Sequence, residues 1–173
     1  MSNVIDSMIS RRSVRKYKPD MVPKDLLDQI IKAGTYAATG MGKQSPIIIA
    51  VTNKDLRDKL SRMNADVMGV NSDPFYGAPV VLVVLADKNY GTCVCDGSLV
   101  MGNLMLAAHD LGIGSCWIHR AKEEFETEEG KAILKSLGIE GEYVGIGHCI
   151  LGYSAEPEKK AAPRKENYVY YAE

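Results

Sequence analysis

Near the N-terminus the run Arg11-Arg12-Ser13-Val14-Arg15-Lys16-Tyr17 gathers three guanidinium groups, an ammonium and two hydroxyls. A guanidinium presents a planar fork of donors that matches the oxygens of a phosphate or carboxylate. The run is therefore an anion clamp in outline, although a solvated basic face has the same composition. With a formal net charge of only −1 over 173 residues, the cluster is local, and the chain is not built to coat nucleic acid. A small anion is the partner it suggests.

No side chain elsewhere offers self-sufficient catalysis. Gly112-Ile113-Gly114 lacks the third glycine of a dinucleotide fingerprint, and Gly145-Ile146-Gly147 has Ile150 where that glycine belongs. There is no GxxxxGK[ST] phosphate loop and no GxSxG elbow. His109, His119 and His148 have no metal-ligand spacing and read as packed or surface imidazoles. Cys149 follows His148 directly, and strand neighbours point to opposite faces, so they cannot act as nucleophile and base. The four cysteines form no CxxC, and Cys93-Val94-Cys95 reads as two partly buried free thiols.

The elements that must position the clamp follow from patterning. Asn3 is a candidate cap for a short helix through Val4, Ile5, Met8 and Ile9, leaving the arginines on a loop or extended segment towards Pro19. Pro23 opens a helix with Leu27, Ile30, Ile31 and Gly34 on one face. Thr39 to Pro46 is a loop, and Ile47 to Val51 a strand expected to be buried on both faces. Asn53 caps a helix over 54–68 whose exposed side carries Lys54, Arg57, Asp58 and Arg62. Val80 to Ala86 is the strongest strand. The helix from Asp96 to Leu111 is apolar around most of its circumference, which calls for burial against both the core and a partner subunit. A strand over 114–118, one helix over 123–137 and a strand over 143–151 follow, then a polar tail with β propensity at Tyr168-Val169-Tyr170-Tyr171.

Apolar residues at 46% and charged residues at 25% suit one ordinary globular domain over 1–173. No hydrophobic run approaches the roughly 20 residues that span a bilayer, and no signal peptide is evident, so a cytoplasmic protein without membrane contact is expected.

An anion clamp with no catalytic side chains suggests a bound cofactor. In order along the chain, Arg11-Arg12-Ser13-Val14-Arg15-Lys16-Tyr17, Val22-Pro23, Gly40 with Gln44, Tyr76-Gly77-Ala78-Pro79, Gly112-Ile113-Gly114-Ser115-Cys116-Trp117, Gly152-Tyr153 and Pro163-Arg164-Lys165 resemble the FMN-dependent nitroreductase-like oxidoreductases. The resemblance implies an α+β fold with a central, mostly antiparallel sheet of four to five strands wrapped by helices. It also implies an intertwined homodimer, its C-terminal tail from about 163 to 173 embracing the partner subunit.

By the same resemblance, Arg11, Arg12 and Ser13 meet the FMN phosphate and ribityl chain, and Arg15 lies nearer the ring, where a cation favours the reduced flavin. Arg164 and Lys165 close on the phosphate. Gln44 meets the pyrimidine edge, Thr39, Gly40 and Gly42 come from the other subunit, Ser115, Cys116, Trp117 and Ile118 lie beside the ring, and Asn71 joins them. The implied activity uses NADH or NADPH to reduce the flavin, whose N5 carries hydride to a nitroaromatic, quinone or related small-molecule acceptor in a ping-pong cycle. A flavin-storage protein of the same fold is the alternative. Gly42-Lys43 before Gln44, where many members have Asn, and Ser45-Pro46 after it depart from the family pattern and point to a more open flavin face.

Overall fold

The computed structural model describes residues 4–173, so the Asn3 cap lies outside the described residues. Helix α1 (Val4–Ser10) delivers the basic segment, and α2 (Lys24–Thr35) follows it with Pro23 at its cap. A short 3-10 turn (Gly40–Gly42) leads to β1 (Pro46–Val51) and α3 (Lys54–Met68), where the Asn53 side chain accepts from the Leu56 N–H at 2.9 Å. Then come β2 (Val80–Asp87), α4 (Cys93–Asp110), β3 (Gly114–Ile118), α5 (Ala121–Glu126), α6 (Glu128–Ser136) and β4 (Tyr143–Gly152).

Four strands form one sheet in the order β1-β2-β4-β3, every neighbouring pair antiparallel. Successive side chains of β2 alternate between two cores, as the period of a strand requires. Val81, Val83 and Leu85 pack with Leu60 and Met63 of α3, Phe125 of α5 and Ile133 of α6. Val80, Leu82 and Val84 pack with Leu27 and Ile30 of α2 and Met101 and Leu104 of α4. Helices thus cover both faces, and β2 with β4 fills the middle.

The glycines of Gly145-Ile146-Gly147 are packing devices. A Cβ on Gly145 would stand 2.1 Å from the Ala121 carbonyl oxygen, and one on Gly147 would stand 2.3 Å from Trp117 Nε1. Their absence of side chains lets α5 and the indole approach the sheet.

Four expectations change. β1 is an edge strand with Ala50 exposed, and among the described residues no fifth strand pairs with it. Arg57 is buried, since the loop after α3 folds over it: its guanidinium donates to the Ala78 carbonyl at 3.0 Å and to Asp73 at 2.5 Å. The single helix over 123–137 is two, broken at Thr127, whose hydroxyl caps α6 by accepting from Gly130 N–H at 3.0 Å. The tail adds no strand to its own sheet, and Tyr168 to Tyr171 are exposed.

α4 buries Val100, Met101, Leu104 and Ala108 but leaves Val94 56% and Leu99 51% exposed. α1 likewise exposes Val4, Ile5, Met8 and Ile9. Among the described residues, no helix is long and apolar enough to cross a membrane.

Candidate functional site

The basic segment runs extended along the free edge of β3. Ser13 forms an isolated parallel bridge with Ser115, and the Val14 N–H donates to the Ser115 carbonyl at 3.0 Å. Further on, Tyr17 bridges Ser154, Lys18 N–H donates to Tyr153 O at 2.9 Å, and Ala155 N–H donates to Lys16 O at 2.9 Å. The segment therefore covers an edge that would otherwise expose unpaired backbone groups. It is also held at both ends. Tyr17 is buried, its hydroxyl donating to Val14 O at 2.8 Å, and burial raises its phenol well above the ordinary value.

Where this segment meets the turn into β3, a cavity of about 410 Å³ opens, walled by Arg12, Ser13 and Ser115 together with Ser10, His109 and Lys159. Arg12 Nη1 donates to the Ile9 and Arg11 carbonyls at 2.8 and 2.6 Å, which fixes the guanidinium. Three buried polar atoms at this end of the molecule have no partner: Arg11 Nη1, Arg12 Nε and Ser115 Oγ. Leaving such a group unpaired costs about 1–3 kcal/mol, more if charged. An anion accepting from them would recover that cost.

His109, in the last turn of α4, faces Ser10 through its Nε2. Ser10 Oγ uses its one proton on the Asp6 carbonyl at 2.7 Å, so its 2.7 Å contact with His109 Nε2 has the imidazole Nε2–H donating. Glu156 also lines the cavity, and its carboxylate accepts from the Arg15 N–H at 2.9 Å and from Lys159 Nζ at 2.7 Å. Those bonds, that of Lys159 first, hold the Glu156 carboxyl below its usual range. Sequence reasoning missed Ser10, His109, Glu156 and Lys159. Only His109, three residues before Gly112, had a local signal.

The other expected site residues are distributed elsewhere in the protomer. Arg11 does not line the cavity, and the Arg15 side chain is exposed. Cys116 and Ile118 turn their side chains into the core shared with α3 and α5, leaving only their backbones on the outer edge of that strand, whereas half-buried Trp117 faces the opposite core. Asn71 lies on a separate shallow depression beside Arg57 and Asp73. Arg164 and Lys165 are exposed, with a bond to the Ala162 carbonyl at 2.7 Å and a contact with the Tyr168 ring at 5.4 Å.

Thr39 and Gln44 line a second cavity of about 380 Å³ beside Ile31, Ile47 and Val100. Their loop, which includes Gly40 and Gly42, is anchored by the buried Asp96 of α4. The Asp96 carboxylate accepts from Gly40 N–H at 2.9 Å, Ser45 Oγ at 2.8 Å and Thr92 Oγ1 at 3.1 Å. Desolvation pushes this carboxyl up, but the three hydrogen bonds outweigh it and hold it below its usual range. Met41 and Gln44 adopt positive φ of 52° and 51°, and both side chains are exposed. Strained backbone on a tightly anchored, outward-facing loop is typical of a binding element.

Comparison with known proteins follows the same architecture. The structure matches that of a nitroreductase with bound FMN from Bacteroides fragilis at a TM-score of 0.90 and 28% identity, covering all of both chains. An FMN-dependent nitroreductase from Clostridium difficile matches at a TM-score of 0.81 and 30% identity, over 98% of this chain and 99% of that one. A protein of Archaeoglobus fulgidus with the provisional name NADH dehydrogenase/NAD(P)H nitroreductase is 30% identical over 158 residues, 88% of this chain and 86% of its own. The sequence model of the nitroreductase family matches residues 8–71 and 65–153, which include both the clamp and β3, and the chain belongs to that family.

Proposed function

We propose that this chain is an FMN-dependent oxidoreductase that takes reducing equivalents from NADH or NADPH and passes them to a nitroaromatic, quinone or related small acceptor. The observation that carries the reading is the pair of buried, unpartnered atoms of Arg12 and Ser115 in the cavity wall, with a third on the adjacent Arg11. Two guanidinium donors and a hydroxyl suit the phosphate and ribityl oxygens of FMN, so the residues present fit the group. When bound, FMN supplies a hydride acceptor and donor at its N5.

The chain's own residues bind and orient. Arg11, Arg12, Ser13 and Ser115 take the phosphate end, with Arg164 and Lys165 closing on it from the tail, and Arg15, its side chain exposed, supplies positive charge towards the ring. Trp117 packs nearby, Cys116 and Ile118 contribute through backbone only, and Asn71 is the outlying member of the set. Thr39, Gly40, Gly42 and Gln44 serve the partner's flavin, presented by the loop that Asp96 anchors.

That arrangement requires a homodimer of single-domain protomers. Uncovered Val94 and Leu99 on α4 and the exposed apolar residues of α1 support it, since exposed apolar area of this kind marks an interface. The exposed aromatic tail, 163–173, is the segment that would embrace the partner. Dependence on NAD(P)H is consistent with a cytoplasmic location.

The test is spectroscopic. Purified protein, or protein reconstituted with FMN, should show a flavin absorption spectrum that bleaches with NADH or NADPH under anaerobic conditions and returns on adding a quinone. A protein that cannot take up FMN overturns the reading. One that holds FMN but never bleaches is a storage protein.

A further inference from the structure

The basic segment changes partners at Arg15. Before it, the Val14 N–H donates to the Ser115 carbonyl of β3 at 3.0 Å. After it, the Lys16 carbonyl accepts from Ala155 N–H and the Lys18 N–H donates to the Tyr153 carbonyl, each at 2.9 Å. The Arg15 N–H falls at the crossover between the two ladders, and a side chain takes the place of a strand partner there. The Glu156 carboxylate accepts from it at 2.9 Å.

Glu156 is itself held from two sides. Its other carboxylate oxygen accepts from Lys159 Nζ at 2.7 Å, and its backbone N–H donates to Ser154 Oγ at 3.2 Å while its carbonyl accepts from the same hydroxyl at 2.9 Å. The Glu156 side chain is only 18% exposed, which shelters its bond to Arg15 from competing water. The Arg15 side chain, by contrast, is exposed, so the direction in which it leaves the extended segment is set at the backbone.

We propose that Glu156 is a positioning residue for Arg15: by holding the Arg15 N–H at the crossover, it aims the guanidinium at the flavin ring. The role rests on the FMN reading above, in which Arg15 supplies positive charge towards that ring. A carboxylate so placed has two separable properties, an acceptor oxygen and a negative charge. E156Q keeps an oxygen for the Arg15 N–H and loses the charge, whereas E156A loses both. Comparing the two variants isolates the bond, because any direct effect of the charge on the flavin is common to them.

The measurement is the flavin midpoint potential of full-length protein loaded with FMN. E156A should lie below E156Q by about 20 mV, a fivefold change in the two-electron equilibrium and about the worth of one hydrogen bond. In an R15A background the two variants should coincide. In flavin-free protein, hydrogen exchange at the Arg15 amide should be slow in the parent and in E156Q and fast in E156A. Equal potentials in E156A and E156Q, or a gap between them that persists without the Arg15 side chain, overturns the assignment. Parent protein that takes up no FMN fails differently: it overturns the FMN reading and this role with it, while the Arg15 amide still reports the bond.

Discussion

Ser13 and Ser115 sit side by side where the N-terminal segment joins β3, and of the two only Ser115 has a hydroxyl both buried and unpartnered. A regular strand fixes that hydroxyl, and the next residue of the clamp, Val14, is bonded to the Ser115 carbonyl. The donors are thus preorganised at an energetic cost to the flavin-free protein.

Ser115→Ala should therefore move stability and binding in opposite directions. Removing an unpaired buried hydroxyl leaves the flavin-free protein as stable as the parent or up to about 1 kcal/mol more stable in urea. FMN affinity should fall about fivefold to tenfold, the worth of one hydrogen bond to a charged group. A variant less stable without flavin and unchanged in affinity would show that the hydroxyl serves packing alone.

Arg15→Ala separates the two parts of that residue. Its N–H holds Glu156 and is retained, so the chain from Tyr153 to Glu156 should stay in place. Only the charge is lost. If Arg15 favours the negative charge that flavin gains on reduction, the midpoint potential should fall by about 20 mV for each kcal/mol of lost interaction, with reduction by NADH slowed. FMN affinity should change little. An unaltered potential would remove Arg15 from this role.

Asp96 gives a prediction with a defined pH sign. Its folded-state carboxyl is held below the usual value, so its contribution is complete at neutral pH and is lost as pH falls through the lowered value. Protection of the amides over 39–45 against hydrogen exchange should persist at pH 7 and collapse only at a pH below that at which an ordinary aspartate is protonated. Asp96→Ala should abolish that protection at pH 7. Protection that survives in the variant would mean that Thr39 and Ser45 hold the loop without the carboxylate.

Local chemistry made much of this fold legible. The Asn53 cap and the apolar period bound α3 over 54–68 as it is observed, and the continuous Val80 to Ala86 run gave the central strand. Arg57 was misplaced because a helix pattern cannot show that a later loop returns over one of its charged positions with Asp73. Thr127 followed by two glutamates is a cap signal that the longer apolar period concealed. At the site, Arg12 and Ser13 were readable from residue type. Lys159 was not, because its place depends on where β4 releases the chain. Cys116 and Ile118 share the sheet face opposite Ser115 and Trp117, as strand alternation requires.

Away from the cavity, Glu124 and His148 lie fully buried side by side, with Nε2 and Oε2 3.3 Å apart but not aligned for a hydrogen bond. The other Glu124 oxygen accepts from Asn64, which also donates to the His119 carbonyl at 2.8 Å and accepts from Arg120 Nε at 3.0 Å. Phe75 lies against the imidazole at 5.1 Å between centroids. Glu124→Ala removes the oxygen that accepts from Asn64, in a core too dry to replace it, and should cost about 1–3 kcal/mol in urea unfolding. Replacing both partners by leucine removes the stranded imidazole as well, so E124L/H148L should be less destabilised than E124A despite the greater change in sequence. FMN affinity should be unaffected in every variant that folds, since neither residue lines the cavity. If the double variant loses at least as much stability as E124A, the pair is not strained by its burial, and its polar contacts contribute net stability to the fold.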